Sequence, residues 1–222
     1  MIKEIAEKIK TIIESDDTDS PQGLDKKIII LDPESLGSAE AAEEGPPLNT
    51  IGLFCDVTEE KVAEVIHAML YLDNINKHKK NKEDKKPIEF YISTYGGSAD
   101  DMFGLYDIMR DIKSRNEIST VGVGKVMSAG VLLLAGGTTG KRKIGKNCRV
   151  MIHSVIGGNH GALHNMMNEM EAIEQLQEMY ISCLTEETNM SKSQIKKMLD
   201  RKVNVYLTAE EAVELGIADI II

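Results

Sequence analysis

The sequence contains no tryptophan, and its three phenylalanines and six tyrosines all lie beyond residue 50. A packed core draws on aromatic bulk, so the first 47 residues are expected to stand outside it. Cysteine is scarce too. Cys55, Cys148 and Cys183 are too few and too scattered for a disulfide framework or a zinc knuckle, which points to a reducing compartment. No run approaches the ~18–20 apolar residues needed to cross a bilayer, and the N-terminus lacks a signal-peptide pattern. Basic charge is also short: 26 basic against 36 acidic side chains leave a net charge of −10. Phosphate binding wants the opposite balance, so nucleic acid is not the expected main partner. Secreted, membrane-spanning and nucleic-acid-coating classes are thereby set aside, and a cytoplasmic protein is expected.

What remains is 222 residues, 42% hydrophobic and 28% charged, enough for one full-sized domain with an extension. The charge divides unevenly. Residues 1–47 hold 12 acids and 5 bases, net −7, while residues 48–222 hold 24 and 21, net −3. Within the leader, Ile2, Ile5, Ile9, Ile12 and Ile13 recur at helical spacing, residues 28–31 suit a short strand, and residues 32–47 read as a flexible linker. The expected organisation is an acidic, partly disordered extension over 1–47 and a folded domain over 48–222.

From residue 50 a strand–helix rhythm sets in. Strands are expected at 51–55, 88–93, 119–124 and 149–153. Helices are expected after Thr58, over 102–112, over 129–135 and over about 162–185, with two short capped helices at the end. Ser191 with Gln194, and Thr208 with Glu211, have capping-box spacing, and Gly216 supplies a stop. The 77–86 stretch carries six lysines but also two acids and no aromatics, and reads as a solvated loop. Alternating strands and helices predict an α/β fold with a largely parallel sheet.

Three features carry chemistry. Tyr95-Gly96-Gly97-Ser98 follows a strand, and paired glycines there let backbone N–H groups approach a developing negative charge. Ser128 stands between a strand and the apolar helix 129–135, where it is either a nucleophile at the positive end of the helix or simply an N-cap. His153 ends an apolar strand just before Gly157-Gly158, a placement that suits a general base or a satisfied core histidine. His160 and His164 lie four apart, but no H-E-x-x-H pattern surrounds them, so they read as surface residues rather than metal ligands.

These segments, together with Met127-Ser128-Ala129-Gly130, Arg149-Val150-Met151-Ile152-His153 and Leu207-Thr208-Ala209-Glu210-Glu211-Ala212, occur in the order and approximate spacing of the Clp protease proteolytic subunit family, a group of serine peptidases. The resemblance spans about residues 50–222. It implies a crotonase-like α/β superhelix of β-β-α units, with 157–185 resembling the strand-and-helix handle by which two rings interlock. It further implies heptameric rings stacked as a tetradecamer, an AAA+ unfoldase as ATP-using partner, unfolded proteins or peptides as substrates, and no cofactor or metal of its own. Carried over by motif, Ser128 resembles the nucleophile and His153 the general base. Gly97 and Ala129 resemble the oxyanion hole, and Gly96, Gly157 and Gly158 resemble substrate-binding positions.

The chain departs from that pattern at several points. Counting back from Thr208, Asn204 falls where the family has the third catalytic residue, an aspartate. Asn can accept a hydrogen bond from His153 but cannot balance an imidazolium charge, which implies weak or partner-dependent activity. Lys202 and Val203 stand where the family has an acid and an arginine, and Tyr95 stands where it usually has proline. The acidic leader replaces the family's axial-pore segment. The second reading is therefore a non-catalytic ring subunit that co-assembles with an active paralogue. An acyl-CoA hydratase on the same fold fits poorly, because that chemistry relies on paired acids.

Overall fold

Seven strands and six helices alternate through the residues that the computed structural model describes, namely 48–79, 81, 84–158, 160, 162–200 and 204–222. The helix, strand and linker expected within 1–47 lie outside the described residues, as do Lys202 and Val203. Strands β1 (Thr50–Leu53), β2 (Ile88–Thr94) and β3 (Ile118–Met127) lie side by side in parallel. Strand β3 then serves two neighbours. Val121 and Gly122 face β4 (Lys143–Ile144), whereas Lys125, Val126 and Met127 face β5 (Arg149–Ile152). The fork falls at Gly124, whose φ of +68° only glycine adopts freely. Beyond β4 lies β7 (Ile220–Ile221), and beyond β5 lies β6 (Val205–Leu207). Only the β5–β6 pair is antiparallel among the described strands, so the sheet is largely parallel as expected.

The helices follow their sequence signals closely. Thr58 caps α1 (Glu59–His78) and Ser98 caps α2 (Ala99–Lys113), each accepting from the backbone N–H three residues on. Helix α3 (Ala129–Ala135) is buried at all seven positions, which explains why it is apolar all round. Helix α4 (Leu163–Glu187) falls where a long helix was expected. Along it Tyr180, Ile181 and Leu184 are buried while Leu163, Met167 and Met170 are exposed. The first half of α4 therefore carries an apolar face that the other described residues leave uncovered. Both expected capping boxes close, on α5 (Lys192–Leu199) and α6 (Ala209–Glu214).

Two buried ion pairs tie distant segments together. Asp73 of α1 is fully buried and accepts from Arg115 Nε and Nη2 at 2.9 and 2.8 Å, from Asn116 Nδ2 at 2.6 Å and from Lys77 Nζ at 3.0 Å. Asp219 accepts from Arg142 Nε at 2.8 Å and from the Gly140 and Arg142 N–H groups, joining β4 to the approach to β7. Burial alone would push the Asp73 carboxyl up, but the Arg115, Lys77 and Asn116 hydrogen bonds outweigh it and hold the carboxyl below its ordinary 3.8.

A lowered carboxylate stabilises the fold fully above its ordinary value, and that contribution disappears as pH falls through the lower folded value. Asp73→Asn is accordingly expected to cost about 2 kcal/mol at neutral pH, because Arg115 keeps Asp111 at 2.7 Å but loses its charged hydrogen bonds to the buried carboxylate. The gap between wild type and variant should narrow as pH drops below about 4. Thermal unfolding of both proteins across that range checks this; a gap as wide in acid as at neutrality would refute it.

Candidate active site

Ser128 is the one described non-glycine residue with positive φ, at φ 54° and ψ −120°. Such a conformation costs on the order of 1–3 kcal/mol and persists only where its surroundings over-determine it. Here they do. The Ser128 N–H donates to Met151 O at 2.8 Å, and its carbonyl accepts from Val131 N–H at 2.9 Å and from the Tyr180 hydroxyl at 3.0 Å. Burial raises the Tyr180 phenol above its usual range, which keeps the hydroxyl proton in place as a donor. The Ser128 side chain makes no capping hydrogen bond, so this serine is not an ordinary N-cap despite its position.

The parallel register brings the second residue alongside. Met127 pairs with Met151, so the chain leaves β3 into Ser128 next to where it leaves β5 into His153. Both residues line one pocket of about 460 Å³, with Tyr95, Gly97 and Ala129 also on its wall. Met102, Phe103 and Leu176 give it an apolar side.

Gly97 is placed by an isolated bridge to Val57. Val57 N–H donates to Gly96 O at 2.8 Å and Ser98 N–H donates to Val57 O at 2.9 Å. This pattern leaves the N–H of Gly97 itself on the side away from Val57. A Cβ on Gly97 would lie 2.1 Å from Val57 O, so the bridge admits only glycine there. As the first residue of α3, Ala129 has an N–H with no acceptor inside the helix. Gly96 packs against the serine, since a Cβ there would meet Ser128 Cβ at 2.6 Å.

The remaining candidates are less central. Gly96, Gly157, Gly158 and Asn204 do not line the pocket. Gly157 lies against Ile173 of α4, and a Cβ on Gly158 would meet nothing within 4 Å. Asn204 stands one step past the Ile152–Val205 pair of the β5–β6 ladder, which sets it opposite His153. It is exposed and makes no hydrogen bond to the imidazole. Among the described residues no group of three or more His, Cys, Asp or Glu is arranged to hold a metal ion.

Two positioning residues escaped sequence reasoning. Tyr180 reads as one more apolar position on α4, yet its hydroxyl holds the Ser128 carbonyl. Thr94 ends β2 fully buried, accepts the Gly96 N–H at 3.0 Å and packs its methyl against Gly130. A threonine immediately before the glycine loop was the only available signal.

The architecture at this point is an α/β protein with a strained serine and a histidine at adjacent strand ends, facing one pocket. Comparison with known proteins is consistent with it. The family model "Clp protease" matches residues 48–222. An "ATP-dependent Clp protease proteolytic subunit 1" of Prochlorococcus marinus is 34% identical over 166 residues, covering 75% of this chain and 80% of that protein. A "subunit 3" of Synechococcus sp. is 34% identical over 168 residues, covering 75% and 78%. The "proteolytic subunit" of Mesostigma viride is 29% identical over 164 residues, covering 74% and 67%. The chain belongs to the Clp protease family.

Proposed function

We propose that this protein is a serine endopeptidase that hydrolyses peptide bonds of unfolded proteins inside an oligomeric chamber. The observation that carries the reading is Ser128, held at positive φ with an uncommitted side chain on the same pocket as His153. In this reading Ser128 Oγ attacks the scissile carbonyl while His153 takes its proton. The N–H groups of Gly97 and Ala129 receive the oxyanion, as pre-set donors that need no reorganisation. His153 then returns the proton to the leaving amine, and a water deprotonated by His153 releases the acyl group. Asn204, opposite His153 in the strand register, is the residue placed to orient the imidazole and contributes no charge, so turnover is slow. Outside the pocket wall, Gly96 packs behind Ser128, and Gly157 and Gly158 flank the approach of the bound peptide.

The exposed Leu163, Met167 and Met170 of α4 support association of rings through that helix, in heptamers stacked as a tetradecamer. An AAA+ unfoldase supplies threaded substrate, and the assembly works in the cytoplasm. No helix among the described residues is long and apolar enough to cross a membrane.

Asn204 also favours a second reading, a ring subunit that shapes an assembly whose catalysis comes from an active paralogue. A fluorophosphonate probe separates the two. Labelling mapped by mass spectrometry to Ser128 is expected for the peptidase. Absence of labelling on the assembled protein, beside a control serine hydrolase that labels, would leave only the subunit reading.

A further inference from the structure

The face of the sheet that leads to Ser128 and His153 carries two cations with no acid to meet them. Lys125 and Arg149 are register partners in the parallel β3–β5 pair, so their side chains leave the same face. Met127 and Met151 form the next rung on that face, with Ser128 one residue beyond Met127 and His153 two residues beyond Met151. Parallel neighbours lie only about 4.8 Å apart, which sets two positive charges side by side. Among the described residues neither has a carboxylate partner. Each leans on a tyrosine ring instead. Lys125 Nζ lies 4.5 Å from the centre of the Tyr95 ring, and Arg149 Cζ lies 4.8 Å from that of Tyr206.

The two rings sit on opposite flanks. Tyr95 follows β2, on the far side of β3, and Tyr206 belongs to β6, on the far side of β5. The two cations therefore lean toward opposite flanks of the β3–β5 pair, leaving this face bordered by positive charge. Tyr95 and Tyr206 are 64% and 48% exposed, so this face meets solvent. In a chain with ten more acids than bases, this pair is a local reversal of sign beside the pocket. The acid on the pocket wall is Asp100, in the first turn of α2. A carboxylate entering the pocket would meet Asp100, whereas one lying over β3 and β5 would meet Lys125 and Arg149.

We propose that Lys125 and Arg149 form a carboxylate-binding subsite selecting peptides with Asp or Glu about three residues from the bond held at Ser128. The spacing comes from the strand. Three residues at ~3.3 Å each put Lys125 about 10 Å from Ser128, and an extended peptide advances by the same step. The ammonium and guanidinium both donate to a carboxylate, and the tyrosine rings hold them in place beforehand.

The inference rests on the peptidase reading for its substrate, and its test keeps the two apart. Quenched fluorescent peptides, identical except for a Glu or a Gln walked along both sides of one cleavable bond, are offered to the full-length protein. Their Glu/Gln ratio of kcat/KM is then compared position by position. A ratio of about fivefold is expected near the third position on one side, in keeping with one or two partly exposed charge contacts. It should fall toward one in Lys125→Gln and Arg149→Gln, and also at about 1 M salt, where the screening length shrinks to ~3 Å. A ratio near one at every position, or one that both variants leave unchanged, would overturn the subsite.

Binding of dye-labelled Glu and Gln peptides to Ser128→Ala, read by fluorescence anisotropy, gives the same comparison without turnover. Tighter Glu binding that depends on Lys125 or Arg149, in a wild type that cleaves nothing, would keep the subsite and discard the peptidase. Equal binding of both peptides would discard the subsite whatever the enzyme does.

Discussion

Ser128→Ala is expected to lower peptide hydrolysis by about 10²-fold, to the residue of rate that oxyanion donors and substrate binding sustain alone, because triad losses are not additive and Asn204 already forfeits most of the triad's gain. The same position also makes a prediction about stability. Ser128 adopts φ 54°, and its side chain caps nothing. Alanine there should consequently melt close to wild type, because no hydrogen bond is lost and the strain remains. Ser128→Gly should be equally inactive yet more stable than wild type, by about 1 kcal/mol of relieved backbone strain. That corresponds to roughly 2–4 °C in melting temperature for a domain of this size. An ordinary N-cap instead predicts wild type as the most stable of the three: alanine would cost about 0.5–2 kcal/mol, and glycine would fall a few tenths below wild type. Thermal unfolding of the three proteins beside their peptidase rates decides between them. A glycine variant less stable than wild type would remove the case for a strained nucleophile.

The strain at Ser128 is also the clearest instance of what the sequence could and could not disclose. A serine between an apolar strand and an apolar helix is visible as a junction, but φ is set by neighbours far along the chain. Met151 O, the Tyr180 hydroxyl and the close approach of Gly96 all act on it. Signals that act within one turn were legible. Thr58, Ser191 and Thr208 each cap the helix that follows, and the two capping boxes close as spelled, whereas the Ser98 cap and the start of α2 at Ala99 were not foreseen. The longer strands were legible too, through their apolar runs.

Strands of two or three residues, β4, β6 and β7, are too short to show a period and exist only because a neighbour's edge accepts them. Asp73 looks like one more polar residue on a helix until the fold brings Arg115 and Asn116 to it. The first half of α4 shows a different limit. Its apolar spacing is legible, but Leu163, Met167 and Met170 are largely exposed among the described residues. Periodicity says that a face is apolar, not which molecule covers it.

Residue 204 is where sequence and structure together make the sharpest demand. The β5–β6 register runs Val150–Leu207, Met151–Tyr206, Ile152–Val205, so the next pair is His153 with Asn204. An acid at that point would accept a proton-bearing imidazole nitrogen and offset the charge His153 acquires in the transition state. Asparagine offers only a dipole, and its NH₂ group competes for the wrong tautomer. In trypsin-type enzymes the handicap of Asn for Asp at the third position is about 10⁴ in kcat with geometry intact. Asn204→Asp is therefore expected to raise kcat by about 10²–10⁴ with little change in KM, because the gain is made only in the transition state. Rate–pH profiles of both proteins, with active sites counted by fluorophosphonate titration, measure it directly. A gain in kcat per labelled site would establish residue 204 as the group that limits turnover. No gain, with Ser128 fully labelled in both, would mean that His153 is oriented by something else. No gain with no labelling in either would assign catalysis to a partner subunit.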